Sequence, residues 1–390
     1  MRDTVKHDVK HDVQHDVLVI GAGVVGLSTA RELARRGRSV TVVDRYPPGR
    51  TGPSAAESRI LRCAYGSRAW YSALSWESVR YWRELEREAG EELLVTRGVL
   101  SLASTGPDGT AGPEWEEESH SALRQLGIPA ERLSPGSARR RFPGLGTADL
   151  HFVLHEPASG VLRARRAVRA LAASAERRGC RFVRGTATPA AGAVLVDGVA
   201  CTADTVVWAV GTALPALHPG LTSARATAQV AYYLAADSAA RTTPAPAPAL
   251  TPALAPAPAW IDRNHAVYGI GAFDGRGAKV VPDVGTPLEA EPPPGGHRAG
   301  PPPALPDGTT AYLRRRFPAL AGLPVASVEE CGYAATADEE FVLGRHPAHE
   351  HVWLVGGDSG HGFKNAPAWG KYVCDAIDGT TTVHPRWRLH

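Results

Sequence analysis

The chain has 390 residues, enough to bury a large core in about two domains, and its formal net charge is only +3. A charge this balanced argues against a nucleic-acid partner or an acidic membrane surface. The five cysteines include no C-x-x-C pair, and no apolar run reaches the roughly 18 residues of a membrane span. We therefore expect a soluble, cytoplasmic protein with reduced cysteines and no membrane partner.

The tandem repeat HDVKHDVQHDV runs from His7 to Val17, so its last copy enters the first predicted strand. His7, His11 and His15 are spaced i, i+4, so on a helix they would share one face that could bind a metal ion. The alternative is a duplicated, solvated tail, and we favour it. We interpret residues 1–16 as a disordered tail and predict no metal site.

The stretch from Val17 to Asp44 predicts a dinucleotide-binding βαβ unit. A short apolar strand leads into G-x-G-x-x-G at Gly21, Gly23 and Gly26, and a helix and a second strand follow. These glycines permit the tight turn, the close approach of a pyrophosphate and the packing of helix on strand. The helix N-terminus offers N–H donors to phosphates, and Asp44 can accept hydrogen bonds from ribose hydroxyls. The pattern indicates FAD or NAD without distinguishing them; a glycine-rich structural turn is the alternative.

Periodicity and turn residues predict the remaining elements. After the second strand, a polar loop leads to residues 59–66, which would lie beside the cofactor. The predicted helices cover 76–89, a short stretch near 121–126, 164–178, 310–316 and a C-terminal segment from about 366. The predicted strands cover 98–103, a strand within 151–163, 180–186, 201–211, 229–234, 267–273, 279–281 and the segment HVWLVGG. Proline-rich tracts at 239–259 and 282–306 are expected to be loops or polyproline segments.

This order of elements predicts an α/β (α+β two-domain) protein. The C-terminal strand–glycine–helix segment belongs with the N-terminal βαβ unit, whereas the middle strands alternate in period two and predict an antiparallel sheet. We predict a discontinuous Rossmann-like domain at 17–95, 150–225 and 325–390. The antiparallel-sheet substrate domain is predicted at 96–149 and 226–324.

Four segments carry a resemblance to a known family: GAGVVG, SRILRCAYG, CGYAATADEEFVLGRHP and GGDSGHGFK. On the basis of these segments, the chain resembles the D-amino-acid oxidase superfamily of flavoproteins. Within that superfamily it is similar to the branch of monomeric sarcosine oxidases and N-methyltryptophan oxidases. The resemblance runs from about Asp16 to Thr380 and is thin across the two proline-rich tracts. It implies FAD rather than NAD, so that the Rossmann-like domain would be an FAD-binding domain.

The resemblance also implies roles for individual side chains. Cys331 matches a cysteine bonded covalently to the flavin; a buried structural cysteine is the alternative. Lys279 matches a lysine over the flavin that assists electron transfer to O2; a solvated strand lysine is the alternative. Arg62 and Lys364 match the pair that binds the substrate carboxylate, although Arg62 could be one of many surface arginines.

Further positions follow from the same resemblance. Arg59 matches an arginine beside the flavin ring, and Tyr268 matches a residue that lines the substrate cavity. The turn from Gly360 to Phe363 would direct a helix dipole at the flavin, and we expect His361 within it to be structural. The predicted catalytic residues are Arg59, Arg62, Tyr268, Lys279 and Lys364. The predicted cofactor-binding residues are Gly21, Gly23, Val24, Gly26, Asp44, Arg45, Ser54, Arg59, Gly211, Cys331, Gly357, Gly360, His361, Gly362 and Lys364.

The chain departs from the family pattern at two places. Ala55 and Ala56 stand where simple family members carry a His-His-Gly sequence, and the segment is one residue shorter. Asp283 stands where those members have a cavity histidine. Because a carboxylate replaces an imidazole, the charge and size of the pocket change, which argues against sarcosine itself as the substrate.

These residues together predict an FAD-dependent amine oxidase. It would oxidise the C–N bond of an N-methyl or cyclic amino acid to an imine and reduce O2 to H2O2, acting as a monomer on a small amine or amino-acid substrate. Its arginine- and proline-rich composition suggests a role in secondary metabolism. The alternatives are a flavin-dependent dehydrogenase that uses another electron acceptor and a flavin-binding protein without turnover. An NAD-dependent dehydrogenase would leave Cys331 and GGDSGHGFK unexplained.

Overall fold

The structure, a computed structural model, describes residues 15–235, 257–288, 303–387 and 389. Most of the predicted tail, including His7 and His11, lies outside the described residues, as do most of both proline-rich tracts. Within the described ranges, no group of three or more His, Cys, Asp or Glu side chains could hold a metal ion. No helix in this part of the chain is long and apolar enough to cross a membrane.

Strands and helices are numbered here in chain order over the described residues. The strands are β1 (His15–Ile20), β2 (Val40–Asp44), β3 (Ser58–Leu61), β4 (Leu94–Val95), β5 (Val99–Ser104), β6 (Glu131–Leu133), β7 (Leu150–Glu156), β8 (Gly160–Arg163), β9 (Arg181–Arg184), β10 (Ala187–Ala190), β11 (Ala193–Val196), β12 (Val199–Cys201), β13 (Ala203–Trp208), β14 (Arg225–Leu234), β15 (Ala259–Asp262), β16 (Val267–Ile270), β17 (Ala278–Pro282), β18 (Thr286–Pro287), β19 (Val325–Ala335), β20 (Val342–His346) and β21 (His349–Gly356). The helices are α1 (Val24–Arg35), α2 (Ala69–Ala89), α3 (Glu114–Gln125), α4 (Pro135–Arg141), α5 (Ala164–Arg177), α6 (Leu214–Leu217), α7 (Asp307–Arg316), α8 (Pro318–Ala321) and α9 (Gly362–Ile377).

A six-stranded sheet contains the N-terminal βαβ unit. Its strand order is β20-β21-β13-β1-β2-β9. All neighbouring pairs are parallel except β20 with β21. Parallel strands place their carboxyl ends at one edge, and ligands of such sheets bind in the crevice outside that edge. The Rossmann-like part of the predicted fold is therefore confirmed.

Different elements cover the two faces of this sheet, as the alternation of side chains along a strand requires. Val17 and Val19 contribute to a core shared with helices α1, α2, α5 and α9. Leu18 contributes instead to a core shared with the three-stranded sheet β10-β11-β12. Helices α1 and α9 lie close together because α9 has Gly370 at the contact: a β-carbon there would lie 2.8 Å from the backbone carbon of Ser28. This packing brings the start of α9 to the edge where α1 begins.

A larger, mostly antiparallel sheet supplies the other side of the molecule. Its order is β18-β14-β17-β16-β15-β5-β7-β6, with β19 paired to β14. The pair of β15 with β5 is parallel, and the other pairs are antiparallel. A Rossmann-like sheet beside a separate antiparallel sheet is the predicted α/β architecture, which the structure confirms.

Four helices begin earlier than their sequence pattern predicts. α2 begins at Ala69 rather than at 76, α3 at Glu114 rather than near 121, α7 at Asp307 rather than at 310, and α9 at Gly362 rather than at 366. Pro367 consequently lies inside α9. The turn ahead of this proline forms because tertiary packing buries the side chains that it carries. The earlier start places Lys364 in the first turn of α9.

The predicted division into domains remains a prediction. β7 and β19 fall in segments assigned to the FAD-binding domain, yet both pair with strands of the larger sheet. The chain therefore passes between the two sheets more often than the sequence pattern alone suggested.

Candidate active site

The carboxyl ends of the parallel strands surround a cavity of about 310 Å³, which we call the nucleotide cavity. Strands β1, β2 and β21 contribute their last residues to its wall, and Ala209, which directly follows β13, contributes as well. The predicted cofactor-binding residues that line it are Gly21, Gly23, Val24, Asp44, Arg45, Ser54, Gly211 and Gly357. The sequence motif and the crevice therefore coincide.

Two glycines of the motif lie where a side chain would clash with the backbone, and the third lies in close contact with a neighbouring side chain. Gly21 has φ +107°, and a β-carbon there would lie 2.3 Å from the carbonyl oxygen of Ala209. A β-carbon at Gly26 would lie 2.0 Å from the carbonyl oxygen of Gly21. At Gly23 it would lie 3.3 Å from Ser54 Oγ. The turn between β1 and α1 is thus built for close backbone approach, as dinucleotide binding requires.

Two polar side chains fix the turn from the adjacent segment. One Asp44 carboxylate oxygen accepts a hydrogen bond from the Ala22 amide at 2.7 Å, and the other accepts from the Tyr46 amide at 2.9 Å. Ser54 Oγ accepts from the Val24 amide at 2.9 Å. Asp44 remains half-exposed at the end of β2, where its oxygens border the nucleotide cavity. The carboxylate can therefore hold the turn and still face a ribose.

A second cavity of about 530 Å³, which we call the reaction cavity, adjoins the first. Val24, Pro53, Ser54 and Asp358 line both cavities. Further predicted site residues that line the reaction cavity are Arg59, Arg62, Tyr268, Lys279, Cys331, Gly360, His361 and Lys364. Gly26 and Gly362 line neither cavity, and their role is in packing: a β-carbon at Gly362 would lie 2.4 Å from the β-carbon of Asp358.

Strand register explains why residues distant in sequence meet in the reaction cavity. Lys279 on β17 pairs with Tyr233 on β14, and Cys331 on β19 pairs with Gln229 on the same strand β14. Tyr268 on β16 lies two residues from the partner of Lys279. Because side chains alternate between the faces of a sheet, all five lie on one face. That face of the larger sheet forms one wall of the cavity.

Lys279 is a buried lysine within this wall. Lys279 is only 7% exposed, and its Nζ lies 3.5 Å from the carbonyl oxygen of Ser58. Burial and then repulsion from Arg59 lower the pKa of Lys279 to about 8, whereas Glu329 acts in the opposite direction. Lys279 is therefore not a solvated strand lysine, and below pH 8 its charge faces the reaction cavity.

Cys331 differs from the other four cysteines because it is partly exposed, and it is exposed in the reaction cavity. Arg59 Nη2 donates a hydrogen bond to Cys331 Sγ at 2.8 Å and another to the Pro53 carbonyl at 2.6 Å. The Arg59 guanidinium therefore directs an N–H group at the sulfur on the wall of the reaction cavity.

Arg62 and Lys364 lie over the same aromatic ring. The Arg62 guanidinium carbon lies 4.8 Å from the Tyr65 ring centroid, and Lys364 Nζ lies 4.7 Å from it. Burial, and then repulsion from Arg62, hold the pKa of Lys364 well below its usual value. In the described part of the chain neither cation forms an ion pair with a carboxylate. Two cations that line one cavity without a carboxylate in ion-pair contact can bind an anion.

A buried carboxylate holds the segment that carries Arg62. Glu156 is 1% exposed and accepts hydrogen bonds from the Cys63 amide at 2.6 Å, the Ala64 amide at 3.3 Å and the Ser159 hydroxyl at 3.0 Å. Burial raises the pKa of Glu156. The backbone after Arg62 is fixed by this acceptor, so the direction of the guanidinium is set before a ligand arrives.

His361 at the start of α9 is held by hydrogen bonds at both ring nitrogens. Its Nε2 donates to the Glu339 carbonyl at 3.0 Å, so Nδ1 accepts from the Tyr65 hydroxyl at 3.1 Å. Burial lowers the pKa of His361 to about 3, which leaves the ring neutral at physiological pH. Asn365 Nδ2 also donates to the Tyr65 hydroxyl, at 2.9 Å. This network fixes the ring over which Lys364 lies.

The carboxylate that replaces the family's cavity histidine connects to Tyr268 through an amide. The Tyr268 hydroxyl donates to Gln229 Oε1 at 3.1 Å, and Gln229 Nε2 donates to the Asp283 carboxylate. Asp283 is exposed at the end of β17 and lines the cavity. The chain therefore has an acid at the cavity mouth that orients Gln229 and Tyr268.

Sequence reasoning missed several residues of this cavity. The guanidinium carbons of Arg62 and Arg263 lie 5.3 Å and 4.8 Å from the ring centroid of Trp115. Trp115 and Arg263 occupy segments without a recognisable motif, so no sequence signal pointed to them. Asp358 lies within GGDSGHGFK and could have been found there; burial raises its pKa to about 6.

The two joined cavities fit an FAD molecule. A glycine turn without space for β-carbons, an acid at the end of β2 and the first turn of α1 suit an adenine dinucleotide. The start of α9 and the face of the larger sheet suit the redox-active end. Val24 and Ser54, which belong to both cavities, make the space continuous.

Comparison with known proteins agrees with this geometry. The model of the DAO family, described as FAD dependent oxidoreductase, matches residues 16–376. Monomeric sarcosine oxidase of Bacillus sp. (strain B-0618) is 27% identical over 378 residues, covering 94% of this chain and 93% of that protein. N-methyl-L-tryptophan oxidase of Yersinia pestis (strain Pestoides F) is 28% identical over 365 residues, covering 91% and 92%.

Solved structures show the same fold. L-proline dehydrogenase from P. horikoshii superposes with a TM-score of 0.75 at 21% sequence identity, covering 95% of each chain. Identity at that level shows the fold alone.

Proposed function

Since this chain belongs to the DAO family of FAD-dependent oxidoreductases, we propose that it is an amine oxidase specific for amines that carry a carboxylate. The observation that supports this most directly is the cation pair Arg62 and Lys364, which faces the reaction cavity without a carboxylate partner in the described part of the chain. The substrate class that we propose is an N-methyl or cyclic amino acid, similar to the substrates named for its relatives.

The substrate carboxylate binds between Arg62 and Lys364 in this proposal. Arg62 donates through its planar guanidinium, and Lys364 adds a compact charge from the first turn of α9. Lys364 is 5% exposed. An arriving carboxylate therefore raises the otherwise lowered pKa of Lys364 and favours the protonated, charged form of its amine. The anchored carboxylate places the neighbouring C–H bond and amine in the cavity. Such orientation lowers a reaction barrier by about 7–11 kcal/mol at most, and we expect several kcal/mol here.

Bound FAD would supply the two-electron acceptor that converts the CH–NH unit to C=N, and O2 would then take up the electrons as H2O2. The residues of this chain bind, orient and charge the reactants. Lys279 brings a buried positive charge to the cavity wall, where it favours the accumulation of negative charge as O2 is reduced. Tyr268, held by Gln229, borders the space left for the amine substituent.

Anaerobic reduction tests this proposal. The purified yellow protein is mixed without oxygen with N-methyl and cyclic amino acids, and with the corresponding carboxamides, while the flavin absorbance is followed. We expect at least one carboxylate substrate to bleach the flavin, and its carboxamide to react at least about 100-fold more slowly, because loss of a buried charge contact costs about 2–5 kcal/mol. Failure of all carboxylate-bearing amines to bleach it would contradict the proposal.

We also propose that Cys331 attaches the flavin covalently. The contact between Arg59 Nη2 and Sγ supports a nucleophilic sulfur in the reaction cavity. Acid precipitation is the test: wild-type protein should keep its yellow colour in the pellet, and Cys331→Ser should release it to the supernatant. Cys201→Ser, which alters a buried cysteine on β12 outside both cavities, is the matched control. Release of colour from wild-type protein would exclude covalent attachment.

A further inference from the structure

A buried cluster of charged and polar groups lies beside Lys279, on the same face of the larger sheet. Glu329 is 3% exposed, and its Oε2 accepts a hydrogen bond from the Tyr233 hydroxyl at 2.7 Å. Arg276 Nη1 lies 3.3 Å from the same oxygen. Glu329 and Arg276 do not line the reaction cavity. A carboxylate is therefore kept buried next to the cavity wall without contacting the space for substrate.

Strand register places this carboxylate beside Lys279. Tyr233 on β14 pairs with Lys279 on one side and with Ser327 of β19 on the other, while Glu329 pairs with Ala231. Alternation puts Glu329 on the same sheet face as Cys331. Lys279 Nζ lies 5.8 Å from the Tyr233 ring centroid, and the hydroxyl of that ring binds Glu329.

Arg276 holds Glu329 in this position. Its Nη1 also forms an ion pair with Glu57 at 2.6 Å, and its Nη2 donates to Ser327 Oγ at 3.2 Å. The guanidinium carbon lies 3.7 Å from the Tyr233 ring centroid. Arg276 thus joins the sheet to the segment just before Arg59, and Glu329 cannot rotate away without breaking two contacts.

The charges around Lys279 come from every element packed against it. The facing groups are Arg59 and the Ser58 carbonyl from β3, Tyr233 from β14, Glu329 and Cys331 from β19, and Arg276 from the turn between β16 and β17. Burial and Arg59 disfavour the ammonium, and Glu329 is the carboxylate that favours it. Burial opposes ionisation of Glu329, but Lys279, the Tyr233 hydroxyl and Arg276 hold the pKa of Glu329 below its usual value. Each of the two buried charges therefore stabilises the other.

We propose that Glu329 is a positioning residue that serves as the buried counter-ion of Lys279 and thereby sets the pH range in which the protein reacts with O2. The inference rests on the proposed function, in which Lys279 serves the oxygen step. Arg276 binds the carboxylate of Glu329 and disfavours the charged form of Lys279. Its effect on Lys279 is therefore opposite to that of Glu329. A purely structural ion pair between Arg276 and Glu329 would leave the charge of Lys279 independent of both.

The test is a pH titration of Lys279 in the holoenzyme by NMR, with lysine labelled by ¹³C at Cε. The sequence has few lysines, namely Lys6, Lys10, Lys279, Lys364 and Lys371, and Lys279→Arg assigns the signal. We expect a midpoint near 8 in the wild type, at least one unit lower in Glu329→Gln, and higher than wild type in Arg276→Gln. Glu329→Asp should retain most of the wild-type value. Glu330→Gln, on the opposite face of β19, is the matched control.

Oxygen reactivity provides a second readout. A lysine is charged below its pKa, so the rate of reoxidation by O2 should decline above about pH 8 in the wild type and above roughly pH 7 or lower in Glu329→Gln. An unchanged Lys279 midpoint in Glu329→Gln would overturn this inference, whatever the activity. Should that variant not fold, a midpoint in Arg276→Gln that does not rise would overturn it.

The two proposals fail in distinguishable ways. If Lys279→Met is reoxidised as fast as the wild type, the oxygen role of Lys279 in the proposed function is wrong. The titration would still decide whether Glu329 is the counter-ion, because it measures the charge of Lys279 directly.

Discussion

Replacing Lys279 by methionine is expected to slow the reaction of the reduced protein with O2 by about 100- to 1,000-fold. The physical reason is that a fixed, buried ammonium faces the cavity in which O2 acquires negative charge, and no solvent reorganisation is needed to use it. Reduction by substrate should change by no more than about threefold, because the carboxylate anchor lies on other elements. Stopped-flow measurement of the two half-reactions separates these effects.

A matched control for this variant is Lys371→Met. Lys371 lies on α9 and forms an ion pair with Asp375 at 2.6 Å, outside both cavities. It should leave both half-reactions unchanged. If Lys279→Met alters neither half-reaction, Lys279 does not serve the oxygen step. If both proteins are also reoxidised slowly by O2, the protein is better described as a dehydrogenase that transfers its electrons to another acceptor.

Replacing Arg62 by glutamine is expected to lower kcat/KM for a carboxylate substrate by at least about 100-fold, the equivalent of roughly 3 kcal/mol. Arg62 and Lys364 form a single anion site over the Tyr65 ring in this proposal. Loss of Arg62 therefore removes one of the two positive charges and the hydrogen bonds of its guanidinium to the substrate carboxylate. Lys364→Met should have an effect of similar size. Steady-state kinetics with a series of substrate concentrations provides the measurement.

The substrate carboxamide makes this prediction specific to the carboxylate contact. The wild type should react poorly with the amide, and Arg62→Gln should lose little further activity on it, so that the two losses are strongly non-additive. Arg68→Gln is the control, because Arg68 lines the same cavity but is paired with the Glu339 carboxylate at 3.7 Å and donates to the Asp338 carbonyl at 2.9 Å. Additive losses for Arg62→Gln and the amide would contradict a direct contact.

The part of the fold that could be predicted from sequence is the part determined by interactions between residues close together in the chain. The strand, glycine turn, helix and acid of residues 17–44 must follow one another to bind a dinucleotide, and they do so in the structure. Helix starts were less predictable: α9 begins ahead of Pro367 because tertiary burial of Phe363 and Lys364 outweighs the local signal.

The candidate site was predicted where a motif marks a residue and was missed where strand pairing alone brings it in. Lys279 and Cys331 were identified through the resemblance to a known family. Glu329 lies two residues before Cys331, but its place beside Lys279 depends on the registers of β14 with β17 and β19. Trp115 reaches Arg62 through the packing of α3, which no spacing in the sequence encodes.

The measurement that tests the central proposal most directly is a cycle of anaerobic reduction followed by admission of oxygen, performed on one sample. A carboxylate-bearing secondary or cyclic amine should bleach the flavin, and air should restore the colour while H2O2 forms in an amount equal to the imine. If the flavin stays reduced in air until an artificial acceptor is added, the protein is not an oxidase. If no such amine bleaches it, the proposed amine oxidation is wrong.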